Sequence, residues 1–250
     1  MSQARATTSN TVFNTESAMR QLLDGCAQMQ CTLSAEQADR LIAYLQLMAK
    51  WNPVYNLTAI RETDKMVSHH LLDSLATLPA FESIVSEQTL SSKTLQIMDV
   101  GTGGGLPGIV LAILHSDWQL TLIDPVQKKT AFLTQVKAQL NLSNVTVING
   151  KVEDLDATQT FDIITSRAFA SLVDFVTLSE RALKPTGCFL AMKGIAPQQE
   201  LVELEQFAPN IWAHQIIKLD VPQLDAERHL INVWRRGERG CNSLHQSSRP

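Results

Sequence analysis

Residues 97–110 read IMDVGTGGGLPGIV, with five glycines inside eight positions and an apolar run on either side. Each glycine forfeits side-chain packing and costs conformational entropy, so this density belongs where the backbone turns sharply or must approach something closely. The run before it, Leu95–Val100, reads as a buried strand, and Pro107 suits the first turn of a helix. Strand, glycine turn and helix together predict the opening unit of a nucleotide-type α/β fold.

The remainder of the chain extends that unit. Past residue 94, apolar runs at 95–100, 119–123, 145–148, 162–165 and 188–192 alternate with helical stretches at 107–114, 128–140, 171–183 and 197–207. The alternation predicts a parallel sheet with helices on both faces. Two last runs, 212–219 and 229–235, have no helix between them long enough for a parallel crossover, so they should pair antiparallel at the sheet edge. A Rossmann-like, mostly parallel seven-stranded α/β sheet ending in such a pair is the layout of a class I methyltransferase, whereas an ordinary dehydrogenase would continue with strand–helix units.

Before residue 94 the patterns are helical. Ser34–Gln37 reads as a capping box and leads into Leu41, Ile42, Leu45, Met48 and Ala49 at helical spacing. A second helix is expected over about 64–78, and KWNPVYNLTAI (50–60) reads as an extended stretch interrupted by Pro53. The expected organisation is a partly disordered N-terminal extension (1–32), a helical cap (33–93), a cofactor-binding core (94–236) and a polar tail (237–250).

Of the 250 residues, 44% are apolar and 18% charged, the balance of a globular protein in water. No apolar run approaches the roughly 18 residues that span a bilayer. The first residues lack the apolar stretch of a secretory signal. Cys26, Cys31, Cys188 and Cys241 show neither C-x-x-C spacing nor a histidine array, which predicts reduced thiols, no metal and a cytoplasmic location. The net charge of −4 does not mark a general nucleic-acid binder. From residue 235 onward, however, Arg235, Arg236, Arg239 and Arg249 stand against Glu238 alone. That segment reads first as a disordered end, with weak RNA contact as the lesser alternative.

The glycine stretch admits two registers. G-x-G-x-x-G fits Gly103, Gly105 and Gly108, and would suit a dinucleotide; D-x-G-x-G-x-G fits Asp99, Gly101, Gly103 and Gly105, and would suit S-adenosylmethionine. A pyrophosphate needs N–H groups at a free helix start. In the first register Gly108 already falls inside the helix, behind Pro107, which has no N–H. Asp99 would repel a pyrophosphate and suits the positively charged methionine end, so the second register is preferred. Asp124 closes the second strand, where a carboxylate takes the ribose hydroxyls of an adenosine cofactor; alone it would read as a helix N-cap. Val152 and Glu153 fall at the carboxyl edge of the third strand, beside an adenine, although Glu153 and Asp154 read equally well as a solvated loop.

Basic residues follow the strands: Lys128 and Lys129 the second, Lys151 the third, Arg167 the fourth, Lys193 the fifth. Ligands of open parallel sheets bind at that edge. Lysines populate loops anyway, which accounts for about half of these, but Arg167 follows directly on the apolar DIIT. After the fourth strand the chain reads TSRAFAS, without the N/D-P-P-F/Y element of exocyclic-amine methylation. The nearest cysteine, Cys188, starts the next strand, so a thiolate attack on a pyrimidine carbon is not provided for. A target atom that is already nucleophilic, such as a purine N7, remains. His69 and His70 read first as packing or capping residues.

Taken in order, KWNPVYNLTAI, HHLLDSL, MDVGTGGGLPGI, LIDPVQKKTAFL, SRAFASL, LKPTG, AMKG and AERHL resemble the RsmG (GidB) family of 16S ribosomal RNA guanine-N7 methyltransferases over about residues 33–234. The resemblance implies a bacterial enzyme that methylates guanine 527 of 16S rRNA, as naked RNA or within the small subunit. It also implies adenosylmethionine contacts at Gly101, Leu106, Val152, Glu153 and Arg167. Lys193 of AMKG and Arg228 of AERHL match family positions without an assigned role. Gly104 and His69 depart from the residues usual there. An adenosylmethionine-binding or RNA-docking factor without catalytic activity is the alternative function, and a nicotinamide oxidoreductase the third.

Overall fold

A computed structural model describes residues 13–87, 94–169 and 171–237. Seven strands, β1 (Gln96–Val100), β2 (Gln119–Asp124), β3 (Val145–Asn149), β4 (Phe161–Arg167), β5 (Leu183–Lys193), β6 (Trp212–Leu219) and β7 (Arg228–Arg235), form one sheet in the order β3-β2-β1-β4-β5-β7-β6. β1, β2, β3, β4 and β5 pair in parallel. β7 pairs antiparallel with both β5 and β6, so it alone of these strands runs against the others. The expected antiparallel pair is therefore present, with β7 inserted between β5 and the edge strand β6.

Helices α1 (Thr15–Gln28), α2 (Ala35–Tyr55), α3 (Thr63–Met66), α4 (Asp73–Leu75) and α5 (Leu78–Glu87) precede the sheet, and a π-helical turn, Val67–Leu72, joins α3 to α4. Within the sheet region lie α6 (Gly108–Leu114), α7 (Gln127–Gln139), α8 (Leu172–Ser179) and α9 (Gln198–Phe207). Successive strand residues point to opposite faces, and the burial follows that parity. Ile97, Ile163, Leu190 and Leu230 join a core with Leu45 of α2, Ile109 of α6 and Phe132 of α7. Their neighbours Met98, Ile164, Ala191 and Ile231 join a second core with Phe175 of α8 and Leu204 of α9. Two buried faces explain why the central strands read as continuous apolar runs.

The helical half differs from expectation in two places. The capping box is formed, with Ser34 Oγ accepting from the Gln37 N–H at 3.1 Å and Gln37 Oε1 accepting from the Ser34 N–H at 2.8 Å. But α2 runs on through Pro53 to Tyr55, where an extended segment was expected. Pro53 lies in the last turn and withholds one N–H from the helix ladder, a cost that the packing of its neighbours offsets. Trp51 stacks on Tyr55 at 4.8 Å and packs on Phe132 at 5.7 Å, and Asn56 at φ +50° ends the helix in the left-handed conformation.

Residues 15–28, expected in a partly disordered extension, form α1. Asn14 caps it by accepting from the Ser17 N–H, and Ala18, Leu22 and Cys26, at helical spacing, are buried in the first core. At the other end, Arg235 closes β7 over the Trp212 ring at 4.7 Å, so it does not belong to a loose tail; Arg239, Arg249 and Cys241 lie outside the described residues. Among the described residues no helix is long and apolar enough to cross a membrane, and no cluster of metal-ligating side chains occurs. Leu22→Ala should lower stability by about 2–4 kcal/mol in chemical denaturation, the cost of emptying a fully buried leucine site; a loss under about 0.5 kcal/mol would return α1 to the status of an accessory extension.

Candidate active site

The sheet order reverses direction between β1 and β4, since β1 leads outward to β2 and β3 while β4 leads to β5. Ligands of open α/β sheets bind at the carboxyl ends of the strands at such a switch point. The glycine loop leaves β1 there, and Arg167 ends β4 there.

The loop is held from three sides. The N–H groups of Gly101 and Thr102 donate to the Ile123 carbonyl at the end of β2. Gly101 (φ +63°) and Gly105 (φ +99°) adopt the left-handed region, and a Cβ on Gly105 would stand 2.6 Å from Ile109 and 2.7 Å from Leu133. From α2, the buried Tyr44 hydroxyl donates to the Gly104 carbonyl at 2.6 Å. Beneath the loop is Asp99, fully buried: its Oδ2 accepts from Thr102 Oγ1 at 2.8 Å and from the Gly108 N–H at 2.9 Å, while its Oδ1 has no partner. Burial raises the Asp99 carboxyl to about 6 against the opposing pull of those two donors. The N–H that begins α6, which the G-x-G-x-x-G register needs for a phosphate, is thus already occupied by a carboxylate of the chain itself.

Asp124, 2% exposed at the end of β2, closes the other side. Its Oδ2 accepts from the Gly103 N–H at 3.0 Å and from Lys129 Nζ at 3.3 Å, and its Oδ1 from the Val126 N–H at 2.9 Å. Asp124 is not the cap of α7, which starts behind Val126, but its carboxylate ties that residue to the glycine loop. Leu106 is buried at the loop's end. Val152, buried, and Glu153, exposed, begin a 3₁₀ turn after β3, with Lys151 Nζ 3.8 Å from Glu153.

The basic residues divide. Lys128 is exposed on the first turn of α7, and neither it nor Lys129 lines the recess into which Arg167 reaches. That recess, a cleft of about 440 Å³ at the ends of β4 and β5, gathers Arg167, Lys193 and Arg228 with His70 and Asp73. Arg228 arrives because β7 is reversed and therefore starts at this edge. The buried Asp73 carboxylate lies between the two guanidiniums: Arg228 Nε donates to its Oδ1 at 2.8 Å, and Arg167 Nη1 is 3.4 Å from its Oδ2 while donating to the His69 carbonyl at 2.9 Å. Lys193 Nζ donates to both Glu200 oxygens at 2.8 and 3.0 Å, and Glu200 also accepts from the Leu172 N–H that starts α8.

Three residues of this constellation carried no role in the sequence reading: Tyr44, Asp73 and Glu200. Asp73 lies in HHLLDSL, and its signal was available as an acidic residue on the apolar stripe of a helix, a placement that demands a partner. Tyr44 and Glu200 lie on helices where spacing alone does not show what they reach.

A sheet of this order with one reversed strand, and a glycine loop at its switch point, define a class I methyltransferase fold. Residues 37–231 match the family described as GidB, rRNA small subunit methyltransferase G, and the chain belongs to that family. It is 50% identical over 219 residues to Ribosomal RNA small subunit methyltransferase G of Janthinobacterium sp. (strain Marseille), which covers 86% of this chain and 93% of that protein. It is 47% identical over 218 residues to the protein of the same name from Burkholderia multivorans (strain ATCC 17616 / 249), covering 86% and 91%.

The folded protein holds the Asp99 proton more tightly than the unfolded chain, whose carboxyl titrates near 3.8. Ionising Asp99 therefore costs stability, progressively from about pH 4 to about pH 6 and fully above that. Asp99→Asn keeps an acceptor for Thr102 and Gly108 without the charge. Its effect on the stability of the ligand-free protein should be more favourable at pH 7.5 than below pH 4 by about 3 kcal/mol, the equivalent of a shift of about two pKa units. Denaturation curves across that range check it, and a gain independent of pH would contradict the assignment.

Proposed function

We propose that the protein transfers a methyl group from S-adenosyl-L-methionine to N7 of a guanine, guanine 527, in 16S ribosomal RNA. The observation that carries the choice of cofactor is the Asp99–Gly108 hydrogen bond, which leaves no free helix start for a pyrophosphate, together with a buried Asp99 oxygen that has no partner. A site whose floor keeps an unsatisfied carboxylate oxygen fits a cationic group. When bound, S-adenosylmethionine supplies an electrophilic methyl group on a sulfonium centre.

In this reading Gly101, Gly103, Gly105 and Leu106 form the floor under the methionine and ribose. A carboxylate offers about four lone-pair sites, of which Asp124 uses three; a ribose hydroxyl takes the fourth or displaces the 3.3 Å contact from Lys129. Val152 and Glu153 flank the adenine. Arg167, Lys193 and Arg228 face the RNA across the cleft, and Lys128 and Lys129 extend the basic edge along α7. The N7 lone pair lies in the ring plane and carries no proton, so the chain needs no general base: it has to hold the atom in line with the methyl group, which supplies most of the acceleration. Residues 33–93 cap the cofactor and help dock RNA, residues 94–236 form the methyltransferase core, and the reaction belongs to the bacterial cytoplasm. The relatives named as small-subunit rRNA methyltransferases support the substrate class.

Gly101→Asp and Asp124→Ala should each weaken S-adenosylmethionine binding at least tenfold by calorimetry; unchanged affinity would sink the cofactor assignment. Mass spectrometry of 16S RNA from cells with and without the protein should show one N7-methylguanine lost with it. Cofactor binding without that loss would leave a docking factor, and a melting shift with NADH in place of S-adenosylhomocysteine an oxidoreductase.

A further inference from the structure

The π-helical turn Val67–Leu72 carries His70 into the wall of the Arg167–Arg228 cleft, 3% exposed. π-turns insert a residue into a helix and re-aim the side chains they carry, and they occur often at functional positions. Neither His70 ring nitrogen has a hydrogen-bond partner. The groups around it are committed elsewhere: Arg167 to the His69 carbonyl and Asp73, Arg228 to Asp73 and the Glu227 carbonyl, and His69 Nδ1 to the Ser68 hydroxyl at 2.9 Å. A buried imidazole without any partner is rare, because both of its nitrogens lose water and gain nothing. Desolvation, and secondly the Arg167 charge, lower its pKa to about 3. It therefore offers one N–H and one lone pair, not a cation.

Resting on the function proposed above, we infer that His70 contacts the target base, its unprotonated nitrogen accepting the N1–H of the guanine. The chemistry favours a neutral acceptor there. As the N7–CH₃ bond forms, the S–CH₃ bond breaks, its electron pair stays on sulfur, and the purine becomes cationic without losing a proton. The N1–H grows more acidic along that path, so a hydrogen bond from it strengthens toward the transition state. Adenine has no N1–H, so the same contact selects guanine.

His70→Phe fills the same space without hydrogen bonding, and His70→Gln restores an acceptor. The full chain is assayed in single-turnover methylation of small ribosomal subunits from cells lacking the protein, beside calorimetry with S-adenosylmethionine and thermal melting. The expected result is a rate about 100-fold lower for His70→Phe, cofactor affinity within threefold and melting within about 3 °C of the unsubstituted protein, and at least tenfold recovery in His70→Gln. Retention of more than a fifth of the rate in His70→Phe would reduce His70 to packing and overturn the inference. A parallel loss of cofactor affinity would also overturn it, by placing His70 on the cofactor. If the unsubstituted protein leaves no methyl group on guanine N7, the proposed function itself falls, and this inference with it.

Discussion

Asp99 Oδ2 accepts from Thr102 and from the Gly108 N–H, and so ties the end of β1, the glycine loop and the first turn of α6 to one buried atom. The arrangement solves a local problem, because a helix start buried beneath a loop must satisfy its N–H groups, and a carboxylate does so best. It creates another by placing a carboxyl where no water reaches, with one oxygen unsatisfied and its pKa pushed up to about 6. Interior strain of this kind persists where function needs it. Two of the glycines follow from it: a loop wrapped this tightly over Asp99 has no room for a Cβ at Gly105, against Ile109 and Leu133, or at Gly108, against Leu122 and Asp99 itself.

The helical half is built into the site at two points. Tyr44 on α2 holds the Gly104 carbonyl, so α2 fixes the loop's outer wall. Asp73, at the start of α4, holds Arg228 and Arg167, so the π-turn fixes the ends of β4 and β7. α1 completes the chain of contacts by packing Leu22 and Cys26 into the core that contains Leu71 and Leu72. Removing the carboxylate of Asp73 would strand two guanidiniums at the cleft wall, which is the expensive way to break a buried ion pair.

The sheet was legible because the central strands are apolar on both faces and most leave through Gly, Pro or Asp: Gly101 after β1, Asp124 and Pro125 at β2, Gly150 after β3 and Gly194 after β5. The glycine loop and Asp124 were legible for the same reason, as fixed offsets along one strand–turn–helix unit. The α2 extension through Pro53 was not, because the residues that hold it, Trp51 and Tyr55, act through stacking and through Phe132 some eighty positions away. α1 was missed although Ala18, Leu22 and Cys26 stand at helical spacing, since its polar flank resembles the tail-like sequence before it. The cleft was half legible: Arg167 could be singled out from DIITSR, but its meeting with Arg228 needs the reversal of β7, a property of the whole sheet.

An overall charge of −4 and a basic strand edge are reconciled by internal pairing. Lys129 faces Asp124, Lys193 faces Glu200, and both Arg167 and Arg228 face Asp73, so the edge projects little net field into solvent. Long-range steering of an anion is correspondingly weak. What pairing provides instead is order: the side chains are held near fixed rotamers before any ligand arrives, and the entropy of fixing them is not charged again on binding. An edge of this kind recognises by shape and short-range contact. It therefore suits a folded target presented in one geometry better than a flexible polyanion met at a distance.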